Sequence, residues 1–198
     1  MVGVVDGSSE LAKLCVVDLF TAEVLINRLV QPTDRVIDWR ARYSGIKAGD
    51  MALAVKSNQA LRGWKAARQE LWQFIDRDTV LMGHALQHDL KALHLIHLRV
   101  IDTSIVTRMA VSQACRRSWS LKMLCAELAN RVIQNHGSEG HDCLEDTLAV
   151  REVFLRCVLY PQELARWAGI KHAEEQERAK KRHAGRVTAP TNDCPTHS

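Results

Sequence analysis

The sequence lacks the segments that would place a protein in or across a membrane. Nowhere do about 18 apolar residues follow one another without interruption, so no membrane-spanning helix is predicted. The opening residues, MVGVVDGSSE, have no basic stretch before an apolar core and do not resemble a secretory signal. We therefore expect an intracellular protein, nuclear or cytoplasmic, without a membrane partner.

Cysteine patterns that bind zinc or form disulfide frameworks are also lacking. The six cysteines contain no C-x-x-C pair, and we expect them to be reduced. The histidine pairs His84/His88 and His94/His97 suggest a metal site, but the four-ligand pattern of structural zinc is missing. The formal net charge of +4 permits a nucleic-acid partner without requiring one.

The chain length of 198 residues suits one folded domain and is too short for two full ones. We predict a domain over residues 1–160, followed by a charged tail over 161–198 that begins as a frayed helix and then becomes disordered. The basic run KKRH at 180–183 is typical of a nuclear address or a nucleic-acid contact, and equally of a solvated tail.

The order of apolar patterns predicts an α/β protein. Two strand-like runs, 10–18 and 23–30, lie at hairpin distance and should pair antiparallel. The segment 31–54 has no sustained period and is expected to be a long loop holding a helical turn. Further along, the patterns predict a helix at 57–75, a strand at 79–82, a helix at 87–95, a strand at 100–101 and helices at 120–129 and 143–159. This alternation favours a mixed sheet covered by helices.

The segment GHDCLEDTLAV at 140–150 carries the most specific local signal. Asp142 and Glu145 fit a capping box, which makes Asp142 the N-cap of the last predicted helix. His141 and Asp146 then occupy positions that meet across the first helical turn, as a general base beside a metal ligand would. The alternative is that His141 is an exposed residue before the cap and Asp146 a surface charge.

A second segment, GHALQHDLKAL at 83–93, supports the functional interpretation. Here a strand ends and a helix brings Asp89 among Leu86, Leu90 and Leu93. A carboxylate flanked by core-facing leucines is costly unless it has a partner, and a divalent cation held jointly with Asp146 would be one.

These two segments resemble the second and third motifs of the DEDDh family of 3'-to-5' exonucleases, and of its eukaryotic RNA exonuclease branch in particular. The motif patterns are G-H-x-L-x-x-D-L-x-A-L and H-D-x-x-x-D-x-x-A. The segments SELAKLCVVD, RYSGI, RVIDTS and SWSLKMLCAEL also match the family, so the resemblance covers about residues 2–158.

The resemblance implies a ribonuclease H-like fold, with a mixed central sheet flanked by helices. It also implies two Mg²⁺ or Mn²⁺ ions bound with the help of Asp89 and Asp146, and His141 as general base on the attacking water. The expected substrates are single-stranded RNA or other nucleic-acid 3' ends, which would be hydrolysed at their phosphodiester bonds. Protein partners and the residues that bind substrate are not indicated.

The family's first motif, D-x-E, is not found in this sequence. Asp6 and Glu10 do not replace it, since Glu10 matches the S-E-L-A segment that follows and Asp6 precedes it in a turn. We therefore expect the first central strand to be missing or truncated, the two-ion site to be incomplete and the activity to be impaired. The alternative is an inactive module that binds nucleic acid or protein on the same fold.

Overall fold

The structure is a computed structural model that describes residues 1–135, 137 and 140–187, with side chains described up to 182. Short strands alternate with helices, as the sequence predicts. The strands are β1 (Val2–Val4), β2 (Ser9–Glu10), β3 (Lys13–Val17), β4 (Val24–Gln31), β5 (Val36–Asp38), β6 (Leu61–Arg62), β7 (Leu81–Gly83) and β8 (Val100–Asp102). The helices are α1 (Ala41–Ser44), α2 (Ala48–Lys56), α3 (Gly63–Leu71), α4 (Gln87–Ala92), α5 (Thr103–Val111), α6 (Leu121–Leu128), α7 (Cys143–Leu159) and α8 (Pro161–Val187). Among the described helices, none is long and apolar enough to cross a membrane.

The predicted hairpin is confirmed as β3 and β4, which pair antiparallel with Lys13 opposite Leu29. The turn between them is held by Asp18, whose side chain accepts hydrogen bonds from the backbone N–H groups of Phe20 and Thr21. Strand β4 also pairs parallel with β6, and β7 pairs parallel with β8. Antiparallel and parallel pairing in one domain confirms the predicted α/β class.

The strands form three hydrogen-bonded sets rather than one continuous central sheet. Within the described residues, β2, β1 and β5 form one sheet, β3, β4 and β6 a second, and β7 with β8 a third. Helix α7 packs on both β3 and β7 and so connects the second set to the third. The first turn of α7 therefore lies where the two sets come together.

Three clusters of buried apolar residues stabilise the domain. The first is built by α5, α6, α7 and α8 around Leu124 and Val153, which are fully buried. The second lies between the β3–β4 hairpin and helices α3 and α4, and the third joins β1 to α2. Helix α7 takes part in the first cluster with one face and packs on β3 with another, which fixes the position of its N-terminus.

The tail expected over 161–198, a frayed helix followed by disorder, is a packed helix in its described part. Helix α8 runs through 161–187, and Trp167 and Ala168 are buried in the first cluster. The Trp167 indole donates a hydrogen bond of 2.6 Å to Glu127, and the Lys171 amino group pairs with Glu127 at 3.0 Å. One face of α8 carries Leu164, Trp167, Ala168 and Lys171. In the sequence this helical spacing is hard to recognise, because many charged residues surround it. Residues 188–198 lie outside the described part of the chain.

Three other segments also differ from prediction. The expected loop over 31–54 contains β5, α1 and most of α2, so it holds more regular structure than a single turn. The helix expected over 57–75 is confined to α3, because β6 precedes it and Gly63, at its start, has a φ of +73°. The α5 helix was not anticipated, although Asp102 at its start has the character of an N-cap.

Candidate active site

The predicted N-cap of α7 is confirmed, but the Glu145 side chain, which the predicted capping box would direct to Asp142, accepts from the Gln134 backbone N–H. The Asp142 side chain accepts a hydrogen bond of 3.0 Å from the backbone N–H of Leu144, and the helix begins at Cys143. Lys13 on β3 contacts the same carboxylate at 3.3 Å and so fastens the helix end to the hairpin. His141 therefore directly precedes the cap, and Asp146 lies one turn into the helix.

The structure brings His141 and Asp146 together. The His141 Nδ1 atom lies 3.7 Å from an Asp146 carboxylate oxygen, and both side chains are half-buried. The ring of Tyr43 meets the His141 imidazole edge to face, with ring centroids 5.9 Å apart. The imidazole is therefore held between a carboxylate and an aromatic ring at the mouth of α7.

Gln134 fixes the other side of Asp146. Its side-chain amide donates a hydrogen bond of 2.8 Å to Asp146, and its backbone N–H donates one of 2.9 Å to Glu145. Burial raises the pKa of the Asp146 carboxyl, while the Gln134 hydrogen bond and the nearby His141 oppose that rise. Gln134 was not predicted as a site residue, because its contact crosses a segment with no periodic pattern.

Gly140 lets the segment before α7 approach α1 closely. Its φ is +86°, and a β-carbon there would overlap the Ala41 carbonyl oxygen and lie 2.9 Å from the Gly45 α-carbon. Only glycine fits such a position without displacing backbone. The contact aligns the RYSG segment at 42–45 with 140–142, and Tyr43 thereby reaches His141.

Asp89 lies in the first turn of α4, and its surroundings differ from those predicted. The first three residues of α4 are exposed, and Leu93 is the buried leucine of the segment, whereas Leu86 and Leu90 are half-buried. Although Asp89 retains accessible surface, partial loss of hydration raises the pKa of its carboxyl. No hydrogen bond or ion pair joins Asp89 to His141 or Asp146 among the described residues.

The first turns of α4 and α7 nevertheless face a common region. The amino group of Met1 interacts electrostatically with both Cys143 and Asp89, which lie on the two helices. His84, directly after β7, interacts in the same way with Asp102 and Asp146. The three predicted site residues therefore lie on the side of the molecule where Met1 and His84 approach the first turns of α4 and α7.

Asp102 organises the backbone that leads to Asp89, and the sequence did not single it out. It is buried, caps α5, and accepts hydrogen bonds from the backbone N–H groups of Ala85 at 3.0 Å and Leu86 at 2.8 Å. Ser104 donates to the same carboxylate from its backbone at 2.9 Å and from its hydroxyl at 2.6 Å. Burial raises the pKa of Asp102, but these four hydrogen bonds outweigh it and the pKa is lowered.

A cavity of about 550 Å³ opens beside His141, between the β3–β4 hairpin and the α1–α2 connection. Basic groups contribute to it from Lys13 and Lys47, and Asp142 and Gly140 form its edge next to the imidazole. Its other lining residues are Asn27, Leu29, Ser44, Gly45, Ile46 and Asp50. The cavity is large enough for a nucleotide-sized ligand.

Comparison with known proteins identifies the family. A model of the exonuclease family matches residues 4–154, more than half of the chain. This chain belongs to the exonuclease family. The match spans the segments that hold Asp89, His141 and Asp146.

Curated relatives of this exonuclease chain carry ribonuclease names. RNA exonuclease 3 of Candida albicans is 31% identical over 144 residues, which cover 73% of this chain and 33% of the relative. Small RNA degrading nuclease 2 of Arabidopsis thaliana is 32% identical over 154 residues, covering 76% and 31% respectively. The exonuclease chain thus spans about a third of the length of these two relatives.

Solved structures confirm the ribonuclease H-like fold of the exonuclease chain. The Pan2 pseudoubiquitin hydrolase and RNA exonuclease module of Saccharomyces cerevisiae, in complex with AAGGAA RNA, superposes with a TM-score of 0.68 at 20% identity, covering 93% of this chain and 29% of that one. The Pan2 catalytic unit of Neurospora crassa superposes with a TM-score of 0.64 at 23% identity, covering 83% and 26%. At these low sequence identities, the structural similarity is evidence for the fold alone.

Exonucleases of this family generally use divalent metal ions. Within 1–135, 137 and 140–187, no three His, Cys, Asp or Glu side chains converge as metal ligands. Asp89 and Asp146 are carboxylates on the same side of the molecule, and Mg²⁺ is often held by one or two carboxylates with waters and substrate phosphates. The expected two-ion site stays a prediction.

Replacing Asp102 by asparagine should lower the free energy of unfolding by about 2 to 3 kcal/mol. The amide would keep one acceptor oxygen but present N–H groups to another N–H donor, and the buried negative charge would be lost. Because the folded-state pKa of Asp102 is lowered, its contribution to stability is complete above the unfolded pKa of about 3.9 and is lost as the pH falls through the folded value. The free energy of unfolding, measured with urea between pH 3 and 7, should depend less on pH in the variant than in the unsubstituted protein.

The matched control for this substitution is Asp78→Asn. Asp78 is an exposed aspartate that pairs with Arg99 at 3.0 Å, so its replacement should change stability by less than about 1 kcal/mol. Equal losses in the two variants would contradict the organising role of Asp102.

Proposed function

We propose that this chain is a 3'-to-5' exonuclease domain that hydrolyses phosphodiester bonds in RNA and acts on single-stranded 3' ends. The observation that carries the proposal is the His141–Asp146 pair at the mouth of α7, within a chain of the exonuclease family. The names of its relatives, which include an RNA exonuclease and a small RNA degrading nuclease, support RNA as the substrate.

In the proposed mechanism, His141 takes a proton from the water that attacks the terminal phosphodiester. Asp146 at 3.7 Å and the Tyr43 ring restrict the orientation of the imidazole, which limits the entropy lost when the reacting groups align. Gln134 keeps Asp146 in place. Asp89 and Asp146 would hold a Mg²⁺ or Mn²⁺ ion, which when bound lowers the pKa of water and neutralises the leaving 3'-oxygen.

The cavity next to His141 supplies the proposed contact with substrate. Lys47 and Lys13 line a concave surface whose rim includes the imidazole, and Lys13 is paired there with Asp142. Lysine commonly contacts phosphates as a point charge. A terminal nucleotide seated there would place its phosphate within reach of His141.

We further propose that residues 1–198 alone hold metal weakly and cleave slowly. Asp89 and Asp146 are two carboxylates, and a site for two closely spaced ions generally needs a carboxylate that bridges them. The rival proposal, an inactive module that binds nucleic acid or protein on the same fold, is favoured by the lack of a three-ligand cluster within the described residues. Both proposals predict binding, but only the first predicts cleavage.

The deciding experiment follows a 5'-labelled single-stranded RNA incubated with excess protein and Mg²⁺ or Mn²⁺. Metal-dependent shortening from the 3' end that chelation abolishes supports the exonuclease, and a DNA strand of the same sequence tests the preference for RNA. In Asp89→Asn the metal titration should shift to higher concentrations, because one carboxylate ligand is lost.

The control for that variant is Asp34→Asn, which changes an exposed aspartate outside the site. RNA binding in a filter or anisotropy assay without any shortening, at saturating Mn²⁺, would favour the inactive module instead.

A further inference from the structure

Two cysteines from distant parts of the sequence meet beside the candidate site. Cys15 lies two residues after Lys13 on β3, so both side chains project from the same face of the strand. Lys13 contacts Asp142 at 3.3 Å, and Cys143 is the next residue and the first of α7. Because α7 packs on β3, the two cysteines lie next to each other.

The two thiols have opposite chemical characters. The neighbouring Cys15 thiol lowers the pKa of Cys143 against the effect of burial, and Lys13 lowers it further. Cys143 also occupies the first position of a 17-residue helix, where the helix dipole favours a thiolate. The pKa of Cys15 is raised by its contact with Cys143 and by burial. Cys143 is therefore the nucleophile of the pair, and Cys15 stays a thiol.

We propose that Cys15 and Cys143 form an oxidation site at which hydrogen peroxide converts the two thiols into a disulfide. The Cys143 sulfur attacks one peroxide oxygen, which breaks the O–O bond, leaves Cys143 as a sulfenic acid and releases hydroxide that is protonated to water. The Cys15 sulfur then attacks the sulfenic sulfur, forming the S–S bond and releasing the second water. Peroxide is reduced and the pair of thiols is oxidised.

The surrounding structure gives peroxide a route to the pair. Both cysteines are half-buried, whereas Cys125 and Cys157 are buried. The Cys15 thiol lies 3.2 Å from the Asn27 side-chain oxygen, and Asn27 lines the cavity next to His141 together with Lys13 and Asp142. A disulfide here would link the first residue of α7 to β3. Cys143 lies between His141 and Asp146 in the sequence, so the bond would form next to the candidate active site.

The test counts thiols and maps disulfides after a brief treatment of the whole chain with peroxide. We expect two of the six cysteines to lose reactivity towards a thiol reagent in denaturant, and the protein mass to fall by two hydrogen atoms. Digestion without reductant should yield one cross-linked peptide pair, Cys15 with Cys143, which dithiothreitol separates. The monomer should persist in gel filtration, since the bond is within one chain.

Single-cysteine variants assign the roles. Cys15→Ser should stop at a sulfenic acid on Cys143 that dimedone traps, whereas Cys143→Ser should leave Cys15 unmodified. The matched control is Cys157→Ser, which removes a buried thiol from the same helix and should still form the disulfide. Cys115, another half-buried cysteine, should be oxidised at least about tenfold more slowly than Cys143.

The proposal is overturned if the Cys15–Cys143 peptide pair is absent after peroxide treatment, if Cys115 reacts as fast as Cys143, or if the disulfides formed are between chains. None of these readouts requires nuclease activity, so this result and the result of the RNA assay are independent.

Discussion

Alanine at position 140 is expected to destabilise the protein by about 3 kcal/mol or more and to displace the mouth of α7. The added β-carbon would overlap the backbone carbonyl oxygen of Ala41, which cannot swing aside as a flexible side chain would. The left-handed backbone at this position, with a φ of +86°, adds about 1 kcal/mol for any residue other than glycine. Relief therefore requires α1 and the segment 140–142 to separate.

Separation would remove the contact between Tyr43 and His141 and alter the cavity that both segments line. We expect Gly140→Ala to lower the midpoint of urea unfolding and to weaken RNA cleavage, since displacing a catalytic group by about 1 Å can cost about a hundredfold in rate. Gly7→Ala is the matched control, because Gly7 has a nearly equal φ of +82° with open space around it. Equal destabilisation of the two variants would show that backbone strain, not the contact with α1, explains the glycine.

The parts of the site that could be predicted from sequence rest on local interactions. The position of His141 before the N-cap and of Asp146 in the first turn follows from a capping signal within a few residues of both. The β3–β4 hairpin could be predicted for a similar reason, because two apolar runs flank a short turn held by Asp18. Such signals need no knowledge of the rest of the fold.

The parts that could not be predicted depend on contacts between distant segments. Asp102 reaches back to the backbone of Ala85 and Leu86, and Gln134 reaches forward to Asp146, so neither role is visible in the local pattern. The RVIDTS segment did contain one usable signal, since an aspartate before Thr-Ser at a strand end is typical of a helix N-cap. Gly140 likewise owes its importance to the backbone of Ala41 and Gly45, which lie far away in the chain.

The solvent exposure of Asp89 shows a different limit of prediction from sequence. Neighbouring leucines in the sequence suggested a carboxylate among core-facing side chains, but α4 has only six residues and its first turn lies at the surface. In so short a helix, residues at successive positions differ sharply in exposure, and apolar neighbours say little about burial. The raised pKa of Asp89 therefore reflects partial desolvation in the first turn of α4 rather than enclosure in the core.

Replacing His141 by alanine should reduce the rate of RNA cleavage by about 10² to 10⁴ fold while leaving the fold intact. If the imidazole accepts the proton of the attacking water, its removal leaves water to do so, a loss of about 3 to 5 kcal/mol of transition-state stabilisation. His141 is half-buried and its neighbours Asp146 and Tyr43 are held by other contacts or by the backbone, so thermal unfolding should change little. Single-turnover cleavage with excess protein and saturating Mn²⁺ gives the rate.

Two further measurements distinguish a base from a structural residue. Added imidazole should partly restore cleavage by His141→Ala, since a small base can enter the cavity that the side chain leaves, and it should not affect the unsubstituted protein. His172→Ala, which changes a histidine on α8 that contacts Gln176, should cleave at the original rate. If His141→Ala cleaves within about twofold of the original rate, or imidazole does not accelerate it, the imidazole is not the proton acceptor.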